Sequence, residues 1–163
     1  MIGNDIIDLD LARKESGWNR KRFLDKIFTE PEQQWIYKSD DLFTSIWILW
    51  SMKESAYKIF NRMTAIRAFN PIKFKCSIMK QHHNHSYGIV RFEERSYFTK
   101  SEISKKFINT IASQEEKELD RIIELHNTEY YKNAKLPFVE VNGVVVPASV
   151  SHHGRYQKVI CIN

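Results

Sequence analysis

Trp50-Ser51-Met52-Lys53-Glu54-Ser55-Ala56-Tyr57-Lys58 lies inside a run, residues 42–60, that is apolar on more than one side through Ile46, Trp47, Leu49, Trp50, Met52, Tyr57 and Phe60. A helix that is apolar most of the way round is a buried one, so the run predicts a long central helix rather than a surface one. Glu54 and Lys58 are four residues apart and stand one turn above the other on one face, with Trp50 a further turn back. A Glu–Lys pair at this spacing is either a surface ion pair, contributing about 0.3–0.5 kcal/mol, or a chemical site. The rest of the chain decides between the two.

The chain has 163 residues, 42% hydrophobic and 13% aromatic, which fits one domain (1–163) with a sizeable core and is too apolar for disorder. Cys76 and Cys161 are far apart at no recognisable spacing. They predict buried thiols in a reducing compartment, not a disulfide framework or a zinc site. No apolar stretch approaches membrane-spanning length and the N-terminus lacks a signal-peptide layout, so the expectation is a cytoplasmic protein. A net charge of +5 favours an anionic partner: nucleic acid, a phosphorylated ligand or an acidic protein.

Residues 1–7 predict a short strand with Gly3, Asp5 and Ile7 on one face and Ile2, Asn4 and Ile6 on the other. Asp8 and Asp10 follow, giving three carboxylates in six residues. Such crowding is repulsive unless a cation or a basic group sits among them. Residues 11–28 combine Arg13, Lys14, Arg20, Lys21, Arg22 and Lys26 with Phe23, Leu24 and Ile27. That segment reads as a solvated helix or as a docking face for an acidic partner. Thr29-Glu30-Pro31-Glu32 fits a capping box that opens a helix ending at Ser39-Asp40-Asp41.

After Asn61 the helical pattern ends. Residues 72–79 and 87–92 predict strands, with His82, His83 and His85 in the loop between them. Three histidines could bind a metal, but no Cys or carboxylate stands at ligand spacing. Residues 101–112 and 113–132 predict two helices, the second opened by a capping box Ser113-x-x-Glu116 and buried along Leu119, Ile122, Ile123 and His126. Residues 136–141 and 144–149 are strands joined by Asn142-Gly143, a strong hairpin signal. A last strand covers 156–162, and no internal repeat is visible. The whole predicts an α+β fold, a mainly antiparallel sheet packed against the long central helix.

Three polar clusters interrupt this apolar framework: Asp5 with Asp8, Glu54 with Lys58, and Ser149-Val150-Ser151-His152. Carboxylates from separate elements are hard oxygen ligands suited to Mg²⁺ when substrate phosphates complete its shell. A lysine one turn away can hold a phosphate oxygen, and hydroxyls with a histidine at a strand end can hold another. Together the clusters describe a metal–pyrophosphate site.

Gly3-Asn4-Asp5-Ile6-Ile7-Asp8, Trp50-x-x-Lys53-Glu54-x-x-x-Lys58 and Ser149-x-Ser151-His152, in that order, resemble the 4′-phosphopantetheinyl transferases. Asn19 to Phe23 and Phe28-Thr29-x-x-Glu32 also look like the basic helix and following stretch of the short holo-acyl-carrier-protein synthases. The Trp-x-x-Lys-Glu-Ser form is more typical of the long class, whereas motif order and length look like the short one. The resemblance implies Mg²⁺-dependent transfer of phosphopantetheine from coenzyme A to a carrier-protein serine, releasing 3′,5′-ADP. It implies Asp5 and Glu54 as metal ligands, with Asp8 at the metal or just behind it. Glu54 would also take the serine proton, and Lys58 would neutralise the phosphate. Ser149, Ser151 and His152 would hold the adenosine 3′-phosphate end.

Arg13, Arg20 and Arg22 would meet an acidic acyl or peptidyl carrier protein. Where the short class has a glycine-rich turn, this chain has Ile59-Phe60-Asn61-Arg62-Met63, so Arg62 is expected to replace close backbone contact with charge. The short class shares its active sites among three subunits, and a homotrimer is the corresponding expectation. Two other readings compete: a basic nucleic-acid-binding module, which lacks any recognition signature, and a catalytically degenerate coenzyme A-binding protein.

Overall fold

The computed structural model describes residues 1–134 and 136–163. Strand β1 (Ile2–Asp8) leads into short helices α1 (Leu9–Glu15), α2 (Phe23–Ile27) and α3 (Glu30–Tyr37), then the long helix α4 (Leu42–Thr64). Four strands follow: β2 (Lys75–His82), β3 (His85–Phe92), β4 (Arg95–Ile103) and β5 (Phe107–Ser113). Five more close the chain: β6 (Ile122–Leu125), β7 (Tyr131–Asn133), β8 (Leu136–Val141), β9 (Val144–His153) and β10 (Tyr156–Ile162). The fold is α+β, as its patterning predicts. Among the described residues, no helix is long and apolar enough to cross a membrane.

The strands form two antiparallel sheets, ordered β1-β5-β4-β3-β2 and β6-β10-β9-β8-β7. The connectivity is the same in both: the first strand of each set lies beside the last, and the others follow in reverse. In the first set α1–α4 are inserted after the leading strand, whereas only residues 126–130 separate β6 from β7. The repeat is one of topology, carried by sequences that share no visible pattern.

Helix α4 is capped by Asp41, whose carboxylate accepts from the Thr44 N–H at 3.0 Å. It ends at Ala65 with a positive φ of 59°. Apolar residues all round it, from Phe43 to Phe60, make it the spine of the larger core. Toward the first sheet it presents small residues. Ser51 Oγ shares a 2.5 Å hydrogen bond with Thr110 Oγ1, and Ser55 Oγ donates to the Thr110 carbonyl at 3.1 Å. Gly3 completes the close approach: a Cβ there would lie 2.1 Å from the Ser55 carbonyl oxygen. The same approach brings the Glu54–Lys58 face of α4 over β1.

The capping box forms as predicted, with Thr29 N–H donating to Glu32 Oε2 at 2.7 Å. Asn142 and Gly143 take positive φ values of 51° and 77°, matching a tight hairpin turn. Two expectations fail. The segment read as one helix over 11–28 is split into α1 and α2, with Arg22 in the left-handed region at φ 65°. The two helices expected over 101–132 are instead the end of β4, β5, a 3₁₀ turn (Glu116–Arg121) and β6. Strand β5 lies between β1 and β4 and is buried on both faces, so it lacks the alternation that marks a half-exposed strand. Ser113 forms no capping box, and its hydroxyl bonds Glu118 instead.

The Gly3 contact is testable. Gly3→Ala should lower unfolding stability by about 1–3 kcal/mol in urea titrations. Gly17→Ala, whose added methyl meets only the movable Arg20 side chain, should stay within about 0.5 kcal/mol of the parent. Equal effects would mean that α4 does not depend on that approach.

Candidate active site

β1 holds one edge of the first sheet, and its free edge faces β9 and β10 of the second. Asn4 is fully buried at that junction. Its N–H donates to Ser149 Oγ at 3.1 Å, Ser149 Oγ donates to Asn4 Oδ1 at 2.7 Å, and Asn4 Nδ2 donates to Ser151 Oγ at 2.9 Å. The Gly3–Asp8 motif and the Ser149–His152 motif therefore touch, although 145 residues separate Asn4 from Ser149.

The second cluster reaches the same place from α4. Lys58 Nζ lies 3.7 Å from Asp5 Oδ1, donates to the Asn4 carbonyl at 2.5 Å and reaches the Val150 carbonyl at 3.4 Å. One ammonium thus contacts β1 and β9 together. Asp5 Oδ2 is buried without a hydrogen-bond partner. Burial pushes the Asp5 carboxyl up to about 6, with Lys58 opposing. Glu54 is pushed up to about 7, chiefly by burial and then by the negative charge of Asp5, again opposed by Lys58. A buried carboxylate paired with one ammonium, and a second whose proton affinity the first one raises, form a site short of positive charge.

The orientation of Glu54 is set by its neighbour. Lys53 is fully buried and donates to Glu32 Oε1 at 2.7 Å, the Pro71 carbonyl at 3.1 Å and the Phe74 carbonyl at 2.5 Å. Glu32 Oε1 also accepts from the Cys76 N–H at 2.6 Å. The capping-box glutamate of α3 thus pins α4 and the start of β2 at the residue before Glu54. Breaking such a buried pair on one side is far costlier than the pair's own net contribution.

Asp8 does not join Asp5 and Glu54. Its Oδ1 accepts from Asp10 N, Leu11 N and Arg155 Nη2, and its Oδ2 accepts from Arg155 N and Nε at 3.1 and 2.8 Å. The Arg155 guanidinium holds this carboxyl far below the usual range. Asp8, expected at the metal or just behind it, caps α1 and anchors the β9–β10 turn. The basic group that three crowded acids required is Arg155, which sequence reasoning passed over. Ser149 and Ser151, expected to hold phosphate, are both bonded to Asn4.

His152 and Arg62 line a cleft of about 350 Å³ with Lys58, Lys132, Tyr57 and Leu136. Arg62 Nη2 donates to the Ala148 carbonyl, while its Nη1 is buried and unpartnered. Lys132 escaped the sequence reading because its segment was read as the end of a helix. Among the described residues, no group of three or more His, Cys, Asp or Glu side chains is placed to hold a metal, the His82–His85 turn included. Arg13, Arg20 and Arg22 are exposed, and Arg13 lies 4.0 Å above the Phe43 ring.

A sequence model of the 4′-phosphopantetheinyl transferase superfamily matches residues 1–112. The chain belongs to that superfamily. It is 37% identical over 57 residues to the holo-[acyl-carrier-protein] synthase of Chlamydia muridarum (strain MoPn / Nigg), a match covering 35% of this chain. The chain thus spans 46%, about half, of the length of that relative. The superfamily match takes in β1, α4 and most of the first sheet. The second sheet, which supplies Ser149 to His152 and the far wall of the cleft, lies outside it.

The donor set at Asp5 and Glu54 fits a divalent cation: two carboxylates, hard oxygen donors, one with an orphaned buried oxygen, beside the lysine that lines the cationic cleft. The pH dependence follows in sign. Carboxyls raised in the fold stabilise it at low pH, and that contribution is lost as pH rises from the ordinary carboxylate range through about 6 and 7. A cation binds the ionised pair, so added Mg²⁺ should raise the melting temperature more at about pH 8 than at about pH 5.5. Glu54→Gln should abolish the difference. An equal Mg²⁺ effect at both pH values in the parent protein would contradict the site.

Proposed function

We propose that this chain transfers 4′-phosphopantetheine from coenzyme A to a serine hydroxyl of an acyl or peptidyl carrier protein, releasing 3′,5′-ADP. The observation that carries the reading is the Asp5–Lys58 pair at 3.7 Å, with an unpartnered Asp5 oxygen and with Glu54 one turn before Lys58 on α4, beside a cleft lined by Lys58, Arg62, Lys132 and His152. Superfamily membership and the similarity to a holo-[acyl-carrier-protein] synthase support the same conclusion.

Asp5 and Glu54 hold Mg²⁺ or Mn²⁺, both of which take such ligands. The bound ion supplies charge neutralisation at the pyrophosphate. The serine oxygen bonds to the pantetheine-bearing phosphorus as the bond to the bridging oxygen breaks, and 3′,5′-ADP leaves with that electron pair. Glu54 takes the serine proton, directly or through a water. Lys58, held over both strands by the Asn4 and Val150 carbonyls, steadies phosphate charge as it moves to the leaving group. His152, Arg62 and Lys132 face the nucleotide phosphates. Exposed Arg13, Arg20 and Arg22 meet the acidic carrier protein.

The reaction is read as cytoplasmic, and residues 1–163 as one working domain. A homotrimer sharing sites at its interfaces is not needed in this account, because β1, α4 and β9 of a single chain already form both walls of the cleft.

The reading is tested by mass spectrometry of an apo carrier protein incubated with coenzyme A, Mg²⁺ and the chain. A gain of one phosphopantetheine group is expected. Asp5→Asn, Glu54→Gln and Lys58→Ala should each reduce the rate by about 10²–10³-fold with the melting temperature little changed. A loss below about threefold, under 1 kcal/mol, would return the altered residue to a structural role. Coenzyme A binding with no transfer by the parent chain would favour the degenerate reading.

A further inference from the structure

An edge strand leaves a row of backbone N–H groups without partners, and a buried row of that kind must be satisfied by something other than water. β1 pairs with β5 on one side only. On its other side β9 runs parallel to it, joined by side chains rather than by a backbone ladder. Asn4 N–H donates to Ser149 Oγ at 3.1 Å, and four residues on, Asp8 N–H donates to His153 Nδ1 at 2.9 Å. Ser151 accepts from the Asn4 side chain between them. Just beyond, Arg155 closes the row: its guanidinium grips both Asp8 oxygens at 2.8 Å and reaches Asp10 Oδ2 at 2.7 Å. Gly154, at φ 55°, fits the turn against Asp8, where an added Cβ would come within 2.5 Å of Oδ2.

The residues that alternate with this row, Val150 and His152, line the cationic cleft, which Ser149 of the row also borders, and the Val150 carbonyl meets Lys58. We infer that Ser149, Ser151, His153 and Arg155 are positioning residues, a side-chain latch that holds β9 on the open edge of β1. The latch fixes the distance between His152 on one wall and Asp5 and Lys58 on the other. This deepens the transferase reading and rests on it only for the ligand. With the latch broken, the competent arrangement becomes a fraction of the population, and apparent coenzyme A affinity falls by that fraction. Bound coenzyme A restores the arrangement, so the maximal rate survives.

Arg155 is half-exposed, which makes Arg155→Ala a tolerable probe, with His153→Ala, which removes the acceptor of the Asp8 N–H, as a second variant should the first fail to fold. Amide hydrogen exchange without ligand reads the latch directly. In either variant the Asn4 and Asp8 amides should exchange about tenfold faster, with residues 108–112 of β5 unchanged. In transfer assays with coenzyme A and Mg²⁺, KM for coenzyme A should rise about tenfold and kcat stay within about twofold. Arg155→Lys, a point charge in place of a fork, should fall between the parent and Arg155→Ala. A lowered melting temperature with unchanged KM, or unchanged Asn4 and Asp8 exchange, would overturn the latch. If the parent chain neither binds coenzyme A nor transfers from it, the transferase reading fails, while the exchange data still decide the latch.

Discussion

A buried aspartate paired with the one ammonium of Lys58, and a glutamate one turn earlier on the same helix that feels both, leave too little positive charge, and the rest of this structure turns on that constraint. Asp5 and Glu54 come from different elements and are brought together because α4 packs on β1 with nothing larger than Gly3 in the gap. Lys58 relieves the repulsion only in part, since burial still raises both acids. The fold tolerates this because it is anchored elsewhere, by the fully buried Lys53–Glu32 pair and by the aromatic core around α4. Under the proposed reading, a divalent cation arriving with phosphate oxygens would turn this unfavourable arrangement into a favourable one.

The second constraint is the shared edge of β1. A strand with one paired side and one buried side must find donors and acceptors across a sheet boundary, and β9 supplies them with Ser149, Ser151 and His153. The two sheets have the same connectivity, yet only the first carries the helical insertion and only β1 carries the acids. The sheets are therefore unequal partners: one brings the chemistry and the other a wall. Their union within one chain explains why residues near both ends of the sequence converge on one cleft.

Much of this was legible before any coordinates. The central helix, the Thr29–Glu32 capping box, the Asn142-Gly143 hairpin and the three polar clusters are all local patterns, and local patterns survive folding. What failed depended on tertiary context. Strand β5 reads as helix because burial on both faces erases its alternation, and Leu119, Ile122 and Ile123 imitate helical spacing across a 3₁₀ turn and a strand. Asp8 reads alike as a helix cap and as a metal ligand, because its partner Arg155 comes from a turn 147 residues away. The repeated sheet topology has no counterpart in the side-chain pattern at all.

The central claim is that Asp5 and Glu54 share a divalent ion. The most direct measurement is anomalous scattering from Mn²⁺ in crystals of the chain grown with coenzyme A. A single peak between the two carboxylates, in contact with the pyrophosphate, is the predicted result. Coenzyme A bound with Mn²⁺ elsewhere, or with none between Asp5 and Glu54, would contradict it.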